Sequence, residues 1–223
     1  IKGSCNVYFS KLAERLNERD LQKWFLNFGY GQSILPAPIP DDVLPEAKKN
    51  RRLRQAYGNI IYGVQEKAYT VLEQVPPIPS SITNEKRYWG IGQGNLRATV
   101  LQVANALSAI ARGGVFKQPR LIETTWQTSD QPKEYSLGLS RHTLNTIRDG
   151  MWAVVNENGG TAYSRAFKDS PLRTERDMKI YGKTGSTQSP SLAWFECFAE
   201  DRSGRSVVVV ILVEGGLSGS GEA

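Results

Sequence analysis

Apolar residues recur at helical spacing in the first two thirds of the chain and at strand spacing in the last. Val7, Leu12 and Leu16 fall near one face of a predicted helix from Val7 to Leu16. From Asp20 to Phe28, Leu21, Trp24, Phe25 and Phe28 recur at three and four, with Gly29 at the C-cap position. Thr99–Arg112 carries the strongest helical signal. Thr99 can cap it; Val100, Val103, Ala104, Leu107, Ile110 and Ala111 form one stripe; Gly113 and Gly114 end it. Ser140–Asn156 repeats the pattern, with Leu144, Ile147, Met151, Val154 and Val155 in phase. The period then changes. Lys179–Ser186, Ser191–Ala199 and Ser206–Glu214 read as strands separated by polar turns such as DRSG, which predicts an antiparallel meander. Helices first and an antiparallel sheet last make the fold class α+β. Gln32–Pro45, with four prolines, and Pro76–Ser81 read as loop. Lys48–Val75 mixes a basic run with the strand-like YTVLEQV and fits neither class cleanly.

Composition narrows the function classes. The 223 residues, 39% hydrophobic and 22% charged, suit a globular chain and exclude wholesale disorder. A net charge of +6 suits an anionic partner. The densest basic run, KKNRRLR from Lys48 to Arg54, nonetheless reads as a solvated face, and no zinc-finger, homeodomain or RNP pattern points to nucleic acid. Two cysteines without a C-x-x-C argue against structural zinc, and a single histidine, His142, against a His-based metal site or a Ser-His-Asp triad. No metal and no cofactor is implied. The longest apolar run, VVVVILV, is too short to cross a bilayer. The chain starts at Ile1 and stops just past an apolar strand, so it is expected to be part of a longer polypeptide.

Four short features carry candidate chemistry. Ser4-Cys5-Asn6 stands just before a helix; WGIGQG, Trp89–Gly94, precedes the Thr99-capped helix; GMWAVVNENGGTA, Gly150–Ala162, ends a helix in a glycine pair; Lys183-Thr184-Gly185-Ser186 opens the strand-rich third. Each has an ordinary structural reading. Ser-x-Asn is a common helix cap, K-T-G is a plain strand end, and G-x-G-x-G lacks the Walker lysine and serine of a phosphate loop. The chemical reading of the last feature is also direct. A strand-edge lysine is a fixed cation for a carboxylate, two hydroxyls donate to the same group, and a glycine lets a peptide lie against the backbone.

In this order and context the four features resemble the penicillin-binding proteins, and within them the class B, monofunctional transpeptidases. The resemblance runs from Ser4 to about Gly219 and includes FGYG, GIGQG with ATVLQVANALSAIARGG, NGGTA, and AWFECFAE after KTGS; Ser33–Tyr88 matches poorly. It implies a penicillin-binding/serine β-lactamase-like fold, an antiparallel sheet flanked by helices plus a helical subdomain, incomplete at both ends. Residues 1–223 would be the C-terminal part of one transpeptidase domain, with 33–88 a loop-rich insertion. The implied function is peptidoglycan D,D-transpeptidation through a serine acyl-enzyme, inhibited by β-lactams. Ser4 would relay a proton to or from the leaving amine. Asn6 would hold the substrate amide and orient the catalytic lysine, and Lys183 would supply the cation. Thr184 and Ser186 would bind the substrate carboxylate beside Gly185, and the Ser186 N–H would form half an oxyanion hole.

The implied partners are stem peptides, β-lactams, the remainder of the domain, and a glycosyltransferase or a division or elongation protein. The implied place is the outer side of a bacterial inner membrane, reached by an anchor outside this chain. One part is missing: no serine is followed three residues on by a lysine, so the S-x-x-K nucleophile and base are expected upstream of Ile1. A sheet short of terminal helices would expose apolar surface. The rival readings are a sensor or scaffold with the same fold and no nucleophile, and a serine β-lactamase or carboxypeptidase, from which GIGQG and NGGTA point away. Cys5 is expected to be a small buried filler, Cys197 strand core, Glu196 and Glu200 solvent- or partner-facing, and His142 an ordinary surface histidine.

Overall fold

The computed structural model describes residues 1–33, 56–79, 82–120, 133–164 and 177–219. The basic run KKNRRLR lies outside them. Helices α1 (Asn6–Arg15), α2 (Glu18–Asn27), α3 (Thr83–Trp89), α4 (Val100–Ala111) and α5 (Arg141–Asn156) precede a sheet of β3 (Lys179–Gln188), β4 (Ser191–Glu200) and β5 (Ser206–Glu214). A short hairpin, β1 (Val115–Lys117) with β2 (Glu134–Ser136), lies between α4 and α5. The sheet order β3-β4-β5 is the antiparallel meander expected, so β3 is an edge strand among the described residues.

Capping explains where the helices start. Asn17 accepts from the Arg19 N–H, so α2 begins two residues earlier than the apolar pattern suggests. Thr99 and Gln102 form a reciprocal capping box on α4, and Ser140 accepts from the Thr143 N–H at the start of α5. Gln102 goes further. It is fully buried, and its amide donates toward the carbonyls of Gly29, Gln32 and Tyr57, tying α4 to the α2 loop and to the 57–60 segment. α3 packs on α1 through Gly90, where a Cβ would fall 2.5 Å from Ala13 Cβ.

Two helix and strand expectations change. The face of α1 carrying Val7, Leu12 and Leu16 is exposed, and Ala13 instead is the buried residue, because α3 approaches from the other side. YTVLEQV forms a 3-10 turn at Leu72–Gln74 rather than a strand. Its carbonyls find a guanidinium instead of a neighbouring strand: Arg19 donates to Leu72 and Val75 at 2.7 Å each. Val75 then joins Ile60, Ile61, Tyr69 and Leu26 in one core cluster, so residues 56–75 pack into the helical part.

The sheet is held by α4 and α5. Phe198 of β4 is completely buried with Leu107 and Ile110 of α4 and Met151 of α5, and its ring stacks 4.7 Å from Tyr181 of β3. Beside β3, Val154 and Val155 of α5 pack with Ile180 and Ala199, and Asn156 donates to the Ile180 carbonyl at 2.9 Å. Arg148 of α5 pairs with Glu200 and lies 4.6 Å over the Tyr181 ring, so Glu200 faces a helix rather than open solvent. On β5, Val207, Val209 and Ile211 remain exposed, the bare apolar sheet surface anticipated above. Among the described residues no helix is long and apolar enough to cross a membrane.

Candidate active site

Ser4 reaches the sheet because the chain turns sharply before α1. The Ser4 N–H donates to the Ile1 carbonyl at 3.0 Å, and Ser4 itself is left-handed, with φ 46°. A serine in that region is uncommon and costs about 1 kcal/mol relative to ordinary backbone. The helix-cap reading of Ser-x-Asn does not apply: Cys5 is the N-cap of α1, and no side chain caps there. The Ser4 hydroxyl points instead to β3, where it accepts from Lys183 Nζ at 2.8 Å. Lys183 also donates to the Thr184 carbonyl, which fixes the ammonium along its own strand.

The other features close around the same strand. Thr184 is buried, and its hydroxyl lies 2.7 Å from that of Thr161 in the NGGTA turn. That turn is tight because a Cβ on Gly160 would meet the Ala153 and Val154 carbonyl oxygens at 2.3 Å. The Thr161 N–H in turn reaches the Lys2 carbonyl at 3.4 Å, next to the Ser4 turn. Gln93 of GIGQG donates to the Ser186 carbonyl at 3.4 Å. Its loop is shaped by buried Glu85, which accepts from the Trp89 indole at 2.8 Å and from the Asn95 N–H. The Ser186 hydroxyl accepts from the Gly219 N–H at 3.3 Å, and Gly219 lies so near Gly185 that a Cβ there would sit 2.4 Å from the Gly185 oxygen. Gly185 is half-buried, and Ser186 is exposed.

Thus Ser4, Lys183, Thr184, Gly185 and Ser186 share one place, while Asn6 does not join them by a direct contact. Asn6 is exposed at the first position of α1 and makes no hydrogen bond to Lys183. Cys5, the N-cap of α1, is a free, exposed thiol and not the buried filler expected. Cys197 is half-buried in the sheet with Phe195, and burial pushes its thiol up. His142 is exposed.

Sequence reasoning missed three neighbours of the site: Gln93, Thr161 and Glu196. Glu196 is not solvent-facing. It is half-buried on β4 directly opposite Lys183, hence on the same face of the sheet. Burial pushes the Glu196 carboxyl up, against the pull of Lys183, and burial holds the Lys183 amine below its ordinary value, against the pull of Glu196. The signal was present in AWFECFA, a nearly continuous apolar run of the kind found on strands covered on both faces, where an intervening glutamate also points inward. Among the described residues no group of three His, Cys, Asp or Glu side chains could hold a metal ion.

The chain is 27% identical over 260 residues to the peptidoglycan D,D-transpeptidase MrdA of Haemophilus influenzae, covering 100% of the chain and 34% of that relative. It is 26% identical over 194 residues to MrdA of Escherichia coli, covering 84% of the chain and 26% of the relative. The chain therefore spans only about a quarter to a third of these curated relatives. Among solved structures, Pseudomonas aeruginosa PBP2 superimposes with TM-score 0.65 at 24% identity, covering 97% of this chain and 42% of that one. A complex between PBP2 and MreC from Helicobacter pylori gives 0.64 at 22%, covering 99% and 36%. These likenesses show the fold. All of residues 1–223 match the family described as penicillin binding protein transpeptidase domain, and the chain belongs to that family.

Proposed function

We propose that this chain supplies the proton-relay and substrate-holding half of a class B, MrdA-like peptidoglycan D,D-transpeptidase, working through a serine acyl-enzyme. The 2.8 Å contact between Lys183 Nζ and Ser4 Oγ carries the reading, because it joins residues 179 apart at the lip of an edge strand. The nucleophilic serine and its base lysine belong to an S-x-x-K outside residues 1–223. That serine attacks the carbonyl of the penultimate D-alanine, and the C–N bond to the terminal D-alanine breaks. Ser4, held by Lys183, passes the proton to the departing amine. A second stem's amine then attacks the ester and returns the proton to the serine oxygen. Thr184 and Ser186 hold the terminal carboxylate, Gly185 lets the stem peptide approach, the Ser186 N–H donates to the oxyanion, and Asn6 holds the substrate amide. β-Lactams acylate the same serine. The site works outside the inner membrane, and a shape-determining partner of the MreC kind is the natural candidate, given the solved PBP2 complex.

Fluorescent penicillin labelling of the polypeptide that carries this chain tests the proposal. Labelling is expected, with an adduct lasting hours, and Lys183→Ala is expected to lower it at least 100-fold, the scale of a lost positioned proton-transfer group. Labelling indifferent to Lys183→Ala would overturn the assignment. An adduct that turns over in seconds would instead indicate a β-lactamase. No labelling of the natural polypeptide would overturn the enzyme reading and leave the sensor or scaffold reading.

A further inference from the structure

Glu196 sits where a sheet interior ordinarily holds an apolar side chain. Its neighbours along the same face of β4 are Trp194 and Phe198, and its partner on β5 is Val210. α4 covers this face with Leu107 and Ile110, and α5 contributes Met151 and Arg148, whose guanidinium is committed to Glu200. Two titratable groups on other elements couple to Glu196, and the Cys197 thiol beside it on β4 feels the same charge. One is Lys183, directly across the β3–β4 pair; the other is Tyr30, in the turn after α2, whose hydroxyl is pushed up first by burial and then by the Glu196 charge. Among the described residues the Glu196 carboxylate makes no hydrogen bond and no direct ion pair. A half-buried carboxylate without a partner destabilises a fold unless another function retains it.

Resting on the transpeptidase reading, we propose that Glu196 is a positioning residue for Lys183, holding its amine as a charged donor to Ser4 from across the β3–β4 pair. Burial alone favours a neutral Lys183, which would no longer be a fixed cation for a substrate carboxylate and would cease to donate fully to Ser4. A negative charge one strand away opposes that tendency without occupying the N–H groups that Ser4 and the Thr184 carbonyl use. The lysine stays charged, and its donors stay free for the site.

The sign of the stability effect separates this role from a merely structural one. Burial outweighs Lys183 in setting the Glu196 carboxyl, so its folded value is raised and carrying the charge at neutral pH costs the fold stability. Its contribution to stability is present below the ordinary carboxylate range and is lost as pH rises through the raised folded value. Glu196→Gln is therefore expected to melt higher than the natural protein at neutral pH, with the difference vanishing in acid. A structural contact would give the opposite order.

The test follows the Lys183 amine by NMR in the polypeptide carrying this chain, using isotope-labelled lysine assigned with Lys183→Ala. In Glu196→Gln the Lys183 titration, and the alkaline limb of penicillin acylation, are expected to move to lower pH; Glu196→Asp keeps both near their natural positions. A Lys183 titration identical in the natural protein and in Glu196→Gln, or a lower melting temperature for Glu196→Gln at neutral pH, would overturn the proposal. These outcomes are distinct from failure of the transpeptidase reading, which shows as labelling indifferent to Lys183→Ala while the amine titration still reports the pair.

Discussion

At Ser4 the backbone and the side chain want different residues. The left-handed φ of 46° suits glycine, while the contact to Lys183 needs a hydroxyl. Strain kept at a position that touches a reactive group is the pattern expected of a functional residue. The variants separate the two demands. Ser4→Gly and Ser4→Ala both lose the hydroxyl and are both expected to acylate slowly, but Ser4→Gly is expected to be more stable than Ser4→Ala by about 1 kcal/mol, read from denaturant melts. Equal stability would mean that the turn relaxes. Neither the strain nor the contact was legible in Ser-Cys-Asn, because a cap and a catalytic turn use the same residue types, and only the path of Ile1–Gly3 distinguishes them.

At the scale of elements, local chemistry made most helices and strands readable. The Thr99 capping box, the Ser140 cap and the continuous β-branched run of β5 act over a few residues, and the structure follows them. What escaped depends on distant partners. YTVLEQV has strand propensity, yet Arg19 captures its carbonyls; the apolar face of α1 has helical period, yet α3 covers the other side. Gln102 shows how much one side chain can hold. It serves the Thr99 cap with its oxygen and three carbonyl directions with its amide, fully buried. Gln102→Ala is expected to cost about 3 kcal/mol in equilibrium unfolding, more than a cap alone, because buried carbonyls lose their donor. A cost near that of a simple cap would show that water replaces the amide. The turn between β4 and β5 gives a milder case. The Ser203 hydroxyl and Arg205 hold the Asp201 carboxyl down at about 2. That stability is present above the ordinary carboxylate range and is lost as pH falls toward about 2, so Asp201→Asn is expected to flatten the acid limb of the melting profile.

Across the whole molecule, the site exists only when the two ends of the chain meet. Phe198, enclosed by α4, α5 and Tyr181, joins the sheet to the helices beneath Lys183. Phe198→Ala is expected to cost about 3–5 kcal/mol and to weaken acylation in step with the unfolded fraction, checked by melting and labelling the same samples. A loss of labelling without a loss of stability would mean that Phe198 acts on the site directly. The family and its four features were legible from the sequence because they are short and ordered along the chain; Gln93, Thr161 and Glu196 became site neighbours only through tertiary pairing. The edge position of β3 has a consequence of its own. Under the proposed function a stem peptide lies along this strand, and whatever edge is left beside the engaged Ile180, Thr184 and Ser186 carbonyls is open equally to any other extended chain, including another copy of itself. Lys179 and Lys183 along that strand, and Gln93 over the Ser186 carbonyl, are gatekeepers of the kind that keep such an edge from seeding aggregates. Substituting them with apolar residues would trade solubility for a stickier groove.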